Sequence, residues 1–596
     1  MSAHGVLDMA SDIVIGMAGS GGDGIVSAGE SLISALAHEG YYALMTKSFG
    51  PQIRGGESSC KLRVSTSPVQ APGGSLDLAI ALNLEDFRKF SAELVVSHET
   101  IMVWDAAHDV RADQLQLPSP QPAVALAVPL SELTRAAAGT DKAKNSLLLG
   151  ILASWLGIAP AAIVAGLRKR FMRKGEALLT ASERAFEAGL SYGDANPLSR
   201  DLKLIAAAQA AAESGRNKLL TDGNDMTAAA AIFAGCEFFG GYPITPSTEI
   251  MQFLSREIWK YGGSVLQAED EIAGIGAAIG ASFAGKKAMT ATSGPGLDLK
   301  SEMLGLASIA ELPLVLVDVQ RGGPSTGLPT KAEQSDLFQA CFGAHGDVLR
   351  PVLAPTSVAD CFAVTVEAFN IAEAFQTPVI VLSDQELGQR KEIVDPIDVS
   401  RFKLSERLQP TAAALSNGYA RFHDTPSGVS PITHPGVQAG AYLAAGIEHN
   451  EYGDPTSGGA MHARMNDKRF RKLDALKERG ELLHTYGPAS APLALLAWGS
   501  CAGVCLETFE LARDAGLAVK LLVPTLLYPI AESALEQFFA GVNAGLVVEQ
   551  SHQGQFYRIL RMHVDVPRGV RSLCRSGAAP FQPAEVLEYL QAMATP

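Results

Sequence analysis

Short apolar runs alternate with longer segments of helical periodicity along most of the chain. An apolar run at residues 13–15 leads into a glycine-rich turn, and residues 25–39 have the apolar spacing of a helix. Because strand, turn and helix in this order build parallel sheets, the pattern predicts an α/β domain over residues 12–195.

The same alternation returns twice further along the chain. Strands are predicted at residues 288–292, 314–319, 378–383, 493–498 and 545–548. They indicate a second α/β domain at residues 223–390 and a third at residues 491–596. A polar, alanine-rich linker (196–222) precedes the second domain, and an irregular connector (391–490) follows it. Interleaved charges at residues 463–479 in the connector predict a helix with a solvated face.

One loop displays an unusual set of side-chain oxygens: GGYPITPST at residues 240–248. Pro243 and Pro246 lack an N–H donor and push the preceding residues toward extended geometry. The segment is therefore predicted to be a stiff loop that presents Tyr, Thr and Ser hydroxyls. Ser247 or Thr248 is a candidate N-cap for the helix that follows, and a turn with a cap is the ordinary interpretation of the loop by itself.

Three consecutive acids, Glu269, Asp270 and Glu271, precede a helix of small residues predicted at 272–285. Acids in a first helical turn ordinarily stabilise the helix dipole, by about 0.3–1 kcal/mol. Three in a row exceed that need. One of them is therefore a candidate for a partly buried carboxylate with a chemical role.

Two further motifs follow predicted strands. TATSGPG (residues 290–296) contains glycines that allow the backbone to approach a ligand closely. RGGPSTGLPT (residues 321–330) begins with Arg321 at a strand end, where α/β proteins bind ligands, and arginine binds carboxylates bidentately. The alternative for Arg321 is an exposed loop arginine. Asp298 and Lys300, just beyond the first motif, are predicted to lie at the exposed start of a helix.

The loop at 240–248 and the three motifs after it resemble, in this order, the alpha subunits of 2-oxoacid:ferredoxin oxidoreductases, especially the 2-oxoglutarate enzymes. The resemblance covers nearly the whole chain. KSFGPQIRGG (47–56) and GIEHNEYG (446–453) are similar to further signatures of that family. The implied fold is α/β with three domains: an N-terminal gamma domain, a transketolase-like pyrimidine-binding domain and a transketolase C-terminal-like domain.

The resemblance implies one subunit of an enzyme that depends on thiamine diphosphate. The implied reaction converts 2-oxoglutarate, coenzyme A and oxidised ferredoxin to succinyl-CoA, CO2 and reduced ferredoxin; its reverse is a carboxylation of the reductive tricarboxylic acid cycle. A beta subunit is implied that shares the thiamine diphosphate, carries Mg²⁺ and a [4Fe–4S] cluster, and completes an α₂β₂ heterotetramer. The chain by itself is then expected to be inactive.

The family's functional positions fall on residues of these motifs. Glu271 matches the catalytic glutamate at the pyrimidine ring of the cofactor, with Glu269 as the alternative register. Substrate contacts are implied for Thr245, Arg321 and Thr330. Contacts with thiamine diphosphate are implied for Tyr242, Pro243, Ile244, Glu271 and Thr292. The candidates for the phosphates of coenzyme A are Lys47 and Arg54.

A second cation is needed for the distal carboxylate of 2-oxoglutarate. Lys331 and His345 are candidates from this chain, and the partner subunit is the alternative. No residue of this chain is assigned to a metal.

The N-terminal glycine turn, GSGGDG at residues 19–24, has the composition of a phosphate-binding turn. Asp23 places a negative charge there, where the family usually has glutamine. The turn also looks like the start of a thiamine-diphosphate metal motif, but the first asparagine after it, Asn83, comes far too late for that motif. The Mg²⁺ site is therefore expected on the beta subunit. A stand-alone dinucleotide-dependent reductase built on this turn is disfavoured because the downstream ribose-binding signature is missing.

Charge and composition narrow the range of partners. The formal net charge of −15 argues against nucleic acid. No apolar run approaches the ~20 residues of a membrane span, and residues 1–12 lack a basic signal-peptide region, so a cytoplasmic location is expected.

The 7 cysteines include no Cys-x-x-Cys pair, and Cys501 and Cys505 are predicted to be buried as small apolar residues. Residues 549–552 end a strand and face either a partner or solvent.

Two alternatives stay open at this level. The same chemistry is compatible with pyruvate, a branched-chain 2-oxoacid or indolepyruvate as substrate. A non-catalytic scaffold subunit is the alternative from another functional class, and in it the acidic and arginine motifs are only structural.

Overall fold

The computed structural model describes residues 11–50, 56–108, 117, 120–171, 175–204, 218–577 and 579–594. The chain divides into two compact units. One comprises the chain up to Thr221 together with Arg390–Ile397, and the other comprises Asp222–Gln389 and Asp398–Pro596. The returning segment 390–397, placed in the connector by sequence, contributes a strand to the first unit.

The first unit is built on an eight-stranded mixed sheet of order β6-β5-β4-β1-β3-β2-β14-β7. Its strands are Asp12–Gly19 (β1), Tyr42–Phe49 (β2), Ser58–Ser65 (β3), Leu78–Ala81 (β4), Ile101–Asp105 (β5), Val124–Val128 (β6), Leu219–Thr221 (β7) and Lys391–Val394 (β14). Its helices are Ile25–His38 (α1), Leu84–Lys89 (α2), Leu130–Ala138 (α3), Lys144–Leu156 (α4), Pro160–Phe171 (α5) and Glu176–Ala195 (α6).

Strand β1 is apolar at successive positions and does not alternate between apolar and polar residues. Ile13, Ile15 and Met17 belong to one hydrophobic cluster of the unit, and Val14 and Ala18 belong to another. Both faces of the strand are therefore buried, as is typical of a strand at the centre of a covered sheet.

The second unit contains two sheets. The seven-stranded sheet has the order β18-β12-β13-β11-β10-β8-β9, and the five-stranded sheet has the order β15-β17-β16-β19-β20. The strands of the larger sheet are Phe238–Gly241 (β8), Ser264–Gln267 (β9), Ala288–Thr292 (β10), Leu314–Gln320 (β11), Val352–Leu353 (β12), Pro378–Asp384 (β13) and Leu526–Tyr528 (β18). Those of the smaller sheet are Leu483–Tyr486 (β15), Leu493–Ala497 (β16), Val519–Pro524 (β17), Ala544–Glu549 (β19) and Val570–Cys574 (β20).

Helices connect the strands of this unit, and the predicted α/β class is confirmed. They are Gly223–Phe233 (α7), Thr248–Glu257 (α8), Glu271–Phe283 (α9), Gly294–Ile309 (α10), Leu337–Phe342 (α11), Val358–Phe375 (α12), Gln385–Gln389 (α13), Ala412–Ser416 (α14), Gly459–Arg471 (α15), Asp474–Lys477 (α16), Cys501–Asp514 (α17), Glu532–Phe539 (α18), Gln555–His563 (α19) and Pro583–Ala594 (α20). In the parts of the chain that the structure describes, none of the helices has the length and apolar character to cross a bilayer.

The charged helix predicted at residues 463–479 is wrong in two respects. Two helices, α15 and α16, occupy this segment, with a break between them. Lys468 and Lys472 are also buried rather than solvated. Their ammonium groups donate to the buried carboxylate of Glu311, which the local charge pattern could not reveal because Glu311 lies far away in sequence.

Candidate active site

The motifs at residues 240–248, 290–296 and 321–330 meet at one edge of the seven-stranded sheet. Each begins at the carboxyl end of a strand, β8, β10 or β11, and these strands are neighbours in parallel orientation. This edge is where open α/β sheets form their ligand sites.

Glycines allow strand β8 and helix α9 to touch at this edge. A β-carbon on Gly240 would lie 2.5 Å from the carbonyl oxygen of Gly274, and one on Gly274 would lie 3.0 Å from the Cα of Gly241. Side chains at these positions would separate the helix from the strand. The close approach brings the first turn of α9, with Glu271, beside the loop that follows β8.

The loop after β8 is held by buried polar contacts. Asn224 donates from Nδ2 to the carbonyl oxygen of Pro246 at 2.8 Å, and the Thr245–Pro246 peptide is cis. Ser247 stands at the N-cap position, but its side chain makes no capping bond; its hydroxyl donates to the carbonyl of Ile244 at 3.0 Å. The predicted side-chain cap is therefore not formed, because Ser247 already has helical backbone angles.

The predicted contact residues of this loop differ in exposure. Tyr242 is 40% exposed, whereas Pro243, Ile244 and Thr245 are partly buried. The loop therefore presents an aromatic side chain at the surface of the unit and a partly buried threonine.

The two candidate glutamates of the acidic motif differ in burial. Glu271 is 7% exposed, whereas Glu269 is exposed. Asp270 caps helix α9 by accepting from the N–H of Ala273 at 2.8 Å. Only Glu271 of the three acids therefore has the buried setting that the sequence argument required.

Glu271 shares its surroundings with Thr292 and Gly296. A β-carbon on Gly296 would lie 2.0 Å from Oγ1 of Thr292 and 2.9 Å from Cγ of Glu271. The backbone of the TATSGPG motif thus packs directly against the side chains of the catalytic candidate and the cofactor-binding candidate. The sequence placed these residues in separate motifs, and the fold brings them together.

Lys300 was predicted at an exposed helix start, and that prediction is wrong. Its side chain is fully buried and donates from Nζ to the carbonyl oxygen of Glu271 at 2.8 Å. Burial lowers the pKa of Lys300 to about 8, while the charge of Glu271 acts in the opposite direction. The residue ties helix α10 to the first residue of α9.

Arg321 is buried at the end of β11, with part of its guanidinium uncommitted. Nη1 donates to the carbonyl oxygen of Thr245 at 2.5 Å, and Nε has no hydrogen-bond partner in the described structure. Burial lowers the pKa of Arg321, and the charges of Asp336 and Asp318 oppose that shift. An arginine held by a loop carbonyl and still able to donate is suited to an incoming carboxylate.

The loop that follows Arg321 is closed at its base by the backbone. The N–H of Leu328 donates to the carbonyl of Gly322 at 2.8 Å, and the N–H of Gly322 donates to the carbonyl of Lys331 at 2.9 Å. Lys331 is therefore brought next to the Arg321 strand end, and the partly buried Thr330 precedes it in the same loop. His345 lies elsewhere, on a cavity of about 310 Å³ that Glu448 and Arg469 also line.

Two acids at this edge, the buried Asp318 and the partly buried Asp336, were not recognised from the sequence. Asp318 lies on β11, and Asp336 follows the loop. Burial, followed by the charge of Asp336, raises the pKa of Asp318 well above its usual range, and burial raises the pKa of Asp336 to about 6. Asp318 sits inside an apolar strand, so local sequence offered no signal for its role.

Gln334 connects the loop that follows Arg321 to the five-stranded sheet. Its N–H donates to the carbonyl of Gln550 at 2.7 Å, its Oε1 accepts from the N–H of Gln550 at 2.9 Å, and its Nε2 donates to the carbonyl of Trp498 at 2.7 Å. Cys501 and Cys505 are buried as predicted, and the thiol of Cys501 donates to the same Oε1 at 3.1 Å.

Residues 549–552 were predicted to face a partner or solvent, and this prediction is wrong for the first three of them, whereas His552 is exposed. Glu549, Gln550 and Ser551 are all buried. The carboxyl of Glu549 accepts from the N–H groups of Phe556 and Tyr557 at the start of α19, at 2.7 and 3.1 Å. These polar residues therefore make contacts within the third α/β segment. A short polar run after a strand does not by itself show that its residues are buried.

The side chain of Asp23 accepts a hydrogen bond from the backbone of the glycine turn in the first unit. Asp23 accepts from the N–H of Ser20 at 2.8 Å, which uses a backbone donor that a phosphate would need. Lys47 is half-buried on β2, opposite Cys60 on β3. Arg54, the other coenzyme A candidate, lies outside the described residues.

Two family models match the sequence. The family described as pyruvate flavodoxin/ferredoxin oxidoreductase, thiamine diP-bdg, matches residues 229–466. The family described as pyruvate ferredoxin/flavodoxin oxidoreductase matches residues 14–192. The first match contains all four motifs of the candidate site.

Relatives extend the similarity over nearly the whole chain. Subunit alpha of 2-oxoacid:ferredoxin oxidoreductase 2 from Aeropyrum pernix is 30% identical, over 93% of this chain and 94% of the relative. The 2-oxoglutarate oxidoreductase subunit KorA of Mycobacterium tuberculosis is 32% identical, over 85% of this chain and 81% of the relative.

A solved structure is similar to this chain over nearly its whole length. The 2-oxoglutarate:ferredoxin oxidoreductase from Magnetococcus marinus, with 2-oxoglutarate, coenzyme A and succinyl-CoA bound, superposes with a TM-score of 0.90 at 34% identity. The match covers 98% of this chain and 100% of that one.

Proposed function

Because the chain belongs to the family of 2-oxoacid:ferredoxin oxidoreductase alpha subunits, we propose that it is the gamma–alpha subunit of a 2-oxoglutarate:ferredoxin oxidoreductase. The enzyme converts 2-oxoglutarate, coenzyme A and oxidised ferredoxin to succinyl-CoA, CO2 and reduced ferredoxin, or runs in reverse. The relatives whose names include 2-oxoglutarate support this substrate over the other 2-oxoacids.

The observation that carries the proposal is the meeting of Glu271, Thr292, Gly296 and Arg321 at one sheet edge. Gly296 leaves no room for a β-carbon against Glu271 and Thr292, which fits a surface that must accept a flat ring closely. Buried Glu271 beside it fits the carboxylate that a pyrimidine nitrogen requires. The residues of this chain therefore fit the pyrimidine half of thiamine diphosphate, which when bound supplies a carbon nucleophile for the keto carbon.

The roles of the other residues follow from their donors and acceptors. The carboxyl of Glu271 forms a hydrogen bond with the pyrimidine nitrogen. Lys300 fixes the backbone of Glu271 by donating to its carbonyl oxygen. Arg321 binds the 1-carboxylate of the substrate through the N–H groups that the loop leaves uncommitted. We also assign substrate contacts to the hydroxyls of Thr245 and Thr330, and Lys331 is a candidate cation for the distal carboxylate.

Tyr242, Pro243 and Ile244 form the wall of the cofactor site on the β8 side. We assign the phosphates of coenzyme A to the gamma domain, with Lys47 and Arg54 as their cationic contacts. The domain limits 12–195, 223–390 and 491–596 belong to the same proposal, and the family matches at residues 14–192 and 229–466 support the first two.

A beta subunit completes the enzyme in this proposal. Within the described residues, no group of three or more His, Cys, Asp or Glu side chains is arranged to hold a metal ion. We assign Mg²⁺, the diphosphate site and the [4Fe–4S] cluster to this partner, with an α₂β₂ assembly, because the family resemblance of the motifs implies them. Ferredoxin then accepts electrons from the cluster of the partner.

The test is purification of this chain with and without its beta partner. Each preparation is assayed for reduction of a low-potential acceptor that depends on coenzyme A, with 2-oxoglutarate and pyruvate in parallel. Activity only in the complex and only with 2-oxoglutarate is the expected result. Activity with pyruvate instead would change the substrate, and activity of the chain alone would contradict the shared site.

A further inference from the structure

The carboxyl of Asp318 is fully buried and has no N–H or hydroxyl donor in the described structure. Oδ2 of Asp336 is also buried without a hydrogen-bond partner, and the N–H of Asp336 donates to Gln320, which lies on the same face of β11 as Asp318. Two ionised carboxylates in contact repel each other, and each loses hydration on burial. A proton held between them is the arrangement that avoids both costs.

The pair adjoins both halves of the candidate active site. Asp318 pairs in register with Thr292 on the neighbouring strand, at the end where the cofactor-binding candidates lie. The N–H of Asp336 donates to Oε1 of Gln320 at 3.1 Å, one residue before Arg321. A β-carbon on Gly294 would lie 3.0 Å from Oδ2 of Asp336, so the pair lies against the start of α10.

Arg321 is close enough for its charge to act on both carboxyls, yet it forms no ion pair with either of them in the described structure. Its recorded hydrogen bond goes to the carbonyl of Thr245. If both carboxyls were ionised, their combined charge would compete with any anion that approached the guanidinium. One shared proton lowers the combined charge of the two carboxyls from −2 to −1 and so weakens their competition with the anion.

We propose that Asp318 and Asp336 share one proton and form a positioning pair for the substrate, and that they take up a second proton when the 1-carboxylate binds at Arg321. This inference rests on the proposed function, because it assumes that Arg321 is the substrate's cation. It assigns no bond-making role to either aspartate. The pair acts through the charge that it presents to Arg321.

The pH dependence follows from the charges that face the pair. These are Arg321 at the end of β11, Asp298 on α10 and Glu333 in the loop. In the free enzyme the pair loses its first proton near the raised pKa of Asp336, about 6. Above that pH, substrate binding must be accompanied by proton uptake, so KM rises by up to about tenfold per pH unit. Below it, KM is insensitive to pH because the pair is already neutral.

The experiment uses the complete complex with its beta subunit. KM and kcat for 2-oxoglutarate are measured from pH 5.5 to 8.5, and the Asp318→Asn/Asp336→Asn double variant is compared with the parent. Proton uptake is measured by titration calorimetry with N-oxalylglycine, an analogue with a deactivated keto group, in phosphate and in Tris, whose ionisation enthalpies differ. Glu302→Gln, an exposed acid on the same helix as Gly294, is the control variant.

The expected result is a KM that rises at least tenfold between pH 6 and pH 8 in the parent and in Glu302→Gln, with uptake approaching one proton per site. In the double variant, KM changes less than twofold over that range and no proton is taken up. A parent complex that binds the analogue without proton uptake overturns the inference, and this holds even if the double variant does not fold. Equal uptake in parent and double variant also overturns it.

Failure of the proposed function has a different signature. A complex inactive on every 2-oxoacid, or one whose KM is unchanged by Arg321→Gln, would overturn the function and this inference together. An active complex whose KM depends on Arg321 but whose binding takes up no proton overturns the inference alone.

Discussion

Gly296 and Glu271 are in such close contact that a single added carbon would displace the carboxylate. A β-carbon on Gly296 would lie 2.9 Å from Cγ and 3.1 Å from Oε1 of Glu271. The glycine on helix α10 therefore determines where the acid on helix α9 can point. This relationship links two motifs that are separate in sequence.

Gly296→Ala is expected to abolish most activity of the complex without unfolding the chain. The added methyl would also lie 2.0 Å from Oγ1 of Thr292, so the side chains of both Glu271 and Thr292 must move. Thiamine diphosphate affinity, measured by reconstitution of the apo-complex, is expected to fall at least about tenfold. Gly280→Ala is the control, because a β-carbon there meets nothing within 4 Å. Equal activity of the two variants would contradict the close-contact argument.

Glu271→Gln is expected to lower kcat by about 10²–10⁴-fold, the usual contribution of a positioned acid or base. Glu269→Gln is expected to have little effect, because its side chain is exposed. Steady-state kinetics of the two complexes decide the register. A large loss in Glu269→Gln with an active Glu271→Gln would reverse the assignment, and full activity in both would favour a scaffold subunit.

Arg321→Lys is expected to raise KM for 2-oxoglutarate much more than it lowers the thermal stability of the complex. Lysine carries the charge but lacks the planar fork that can hold the Thr245 carbonyl and a carboxylate together. The measurement is KM at fixed pH, with KM for coenzyme A as the internal control. A parallel rise of both KM values would indicate general damage instead of a lost carboxylate contact.

Glu311→Gln is expected to destabilise the second unit by on the order of 3–5 kcal/mol. The carboxylate of Glu311 bonds Lys468 at 2.7 Å and Lys472 at 3.1 Å, and all three side chains are almost completely buried. Burial alone would raise the pKa of Glu311, but Lys472, Lys468 and Arg421 hold it well below its usual range. The charge is therefore needed to neutralise two buried ammonium groups.

Thermal unfolding of the purified complex measures this loss. Glu406→Gln is the matched control, because Glu406 also pairs with a lysine, Lys287, but is 76% exposed. An exposed pair contributes little. Similar losses of stability in both variants would show that burial does not make the ion pairs of Glu311 more important for stability than an exposed pair.

Glu549 is expected to make the stability of the folded chain depend on pH, and Glu549→Gln is expected to remove this contribution. Burial raises its pKa to about 7, against hydrogen bonds from Phe556, Tyr557 and Trp498 that lower it. A raised folded-state pKa stabilises the fold below the unfolded pKa of about 4.5, and this contribution is lost as pH rises through about 7. In Glu549→Gln, the midpoint of unfolding should therefore fall less between pH 5 and pH 8 than in the parent. Identical pH slopes would contradict the assignment.

Local sequence determined the elements and the chemistry of the site's first contacts. The strand at residues 288–292 has the predicted limits, because an apolar run between turns needs no distant information. The order of the motifs indicated which strand ends would meet, since parallel strands place their carboxyl ends at one edge. The acids at 269–271 were recognised as candidates, but their order alone left two registers open.

Only the tertiary structure decided which polar residues are buried and what they touch. Lys300, Asp318, Gln334 and Glu549 all have unremarkable local patterns, and their roles come from partners on other elements. Desolvation depends on everything packed around a group, so neither burial nor a shifted pKa can be read from neighbours in sequence. The family resemblance of the motifs thus indicated the reaction, whereas the packing of distant segments buried Glu271, left Glu269 exposed and enclosed the carboxyl of Asp318.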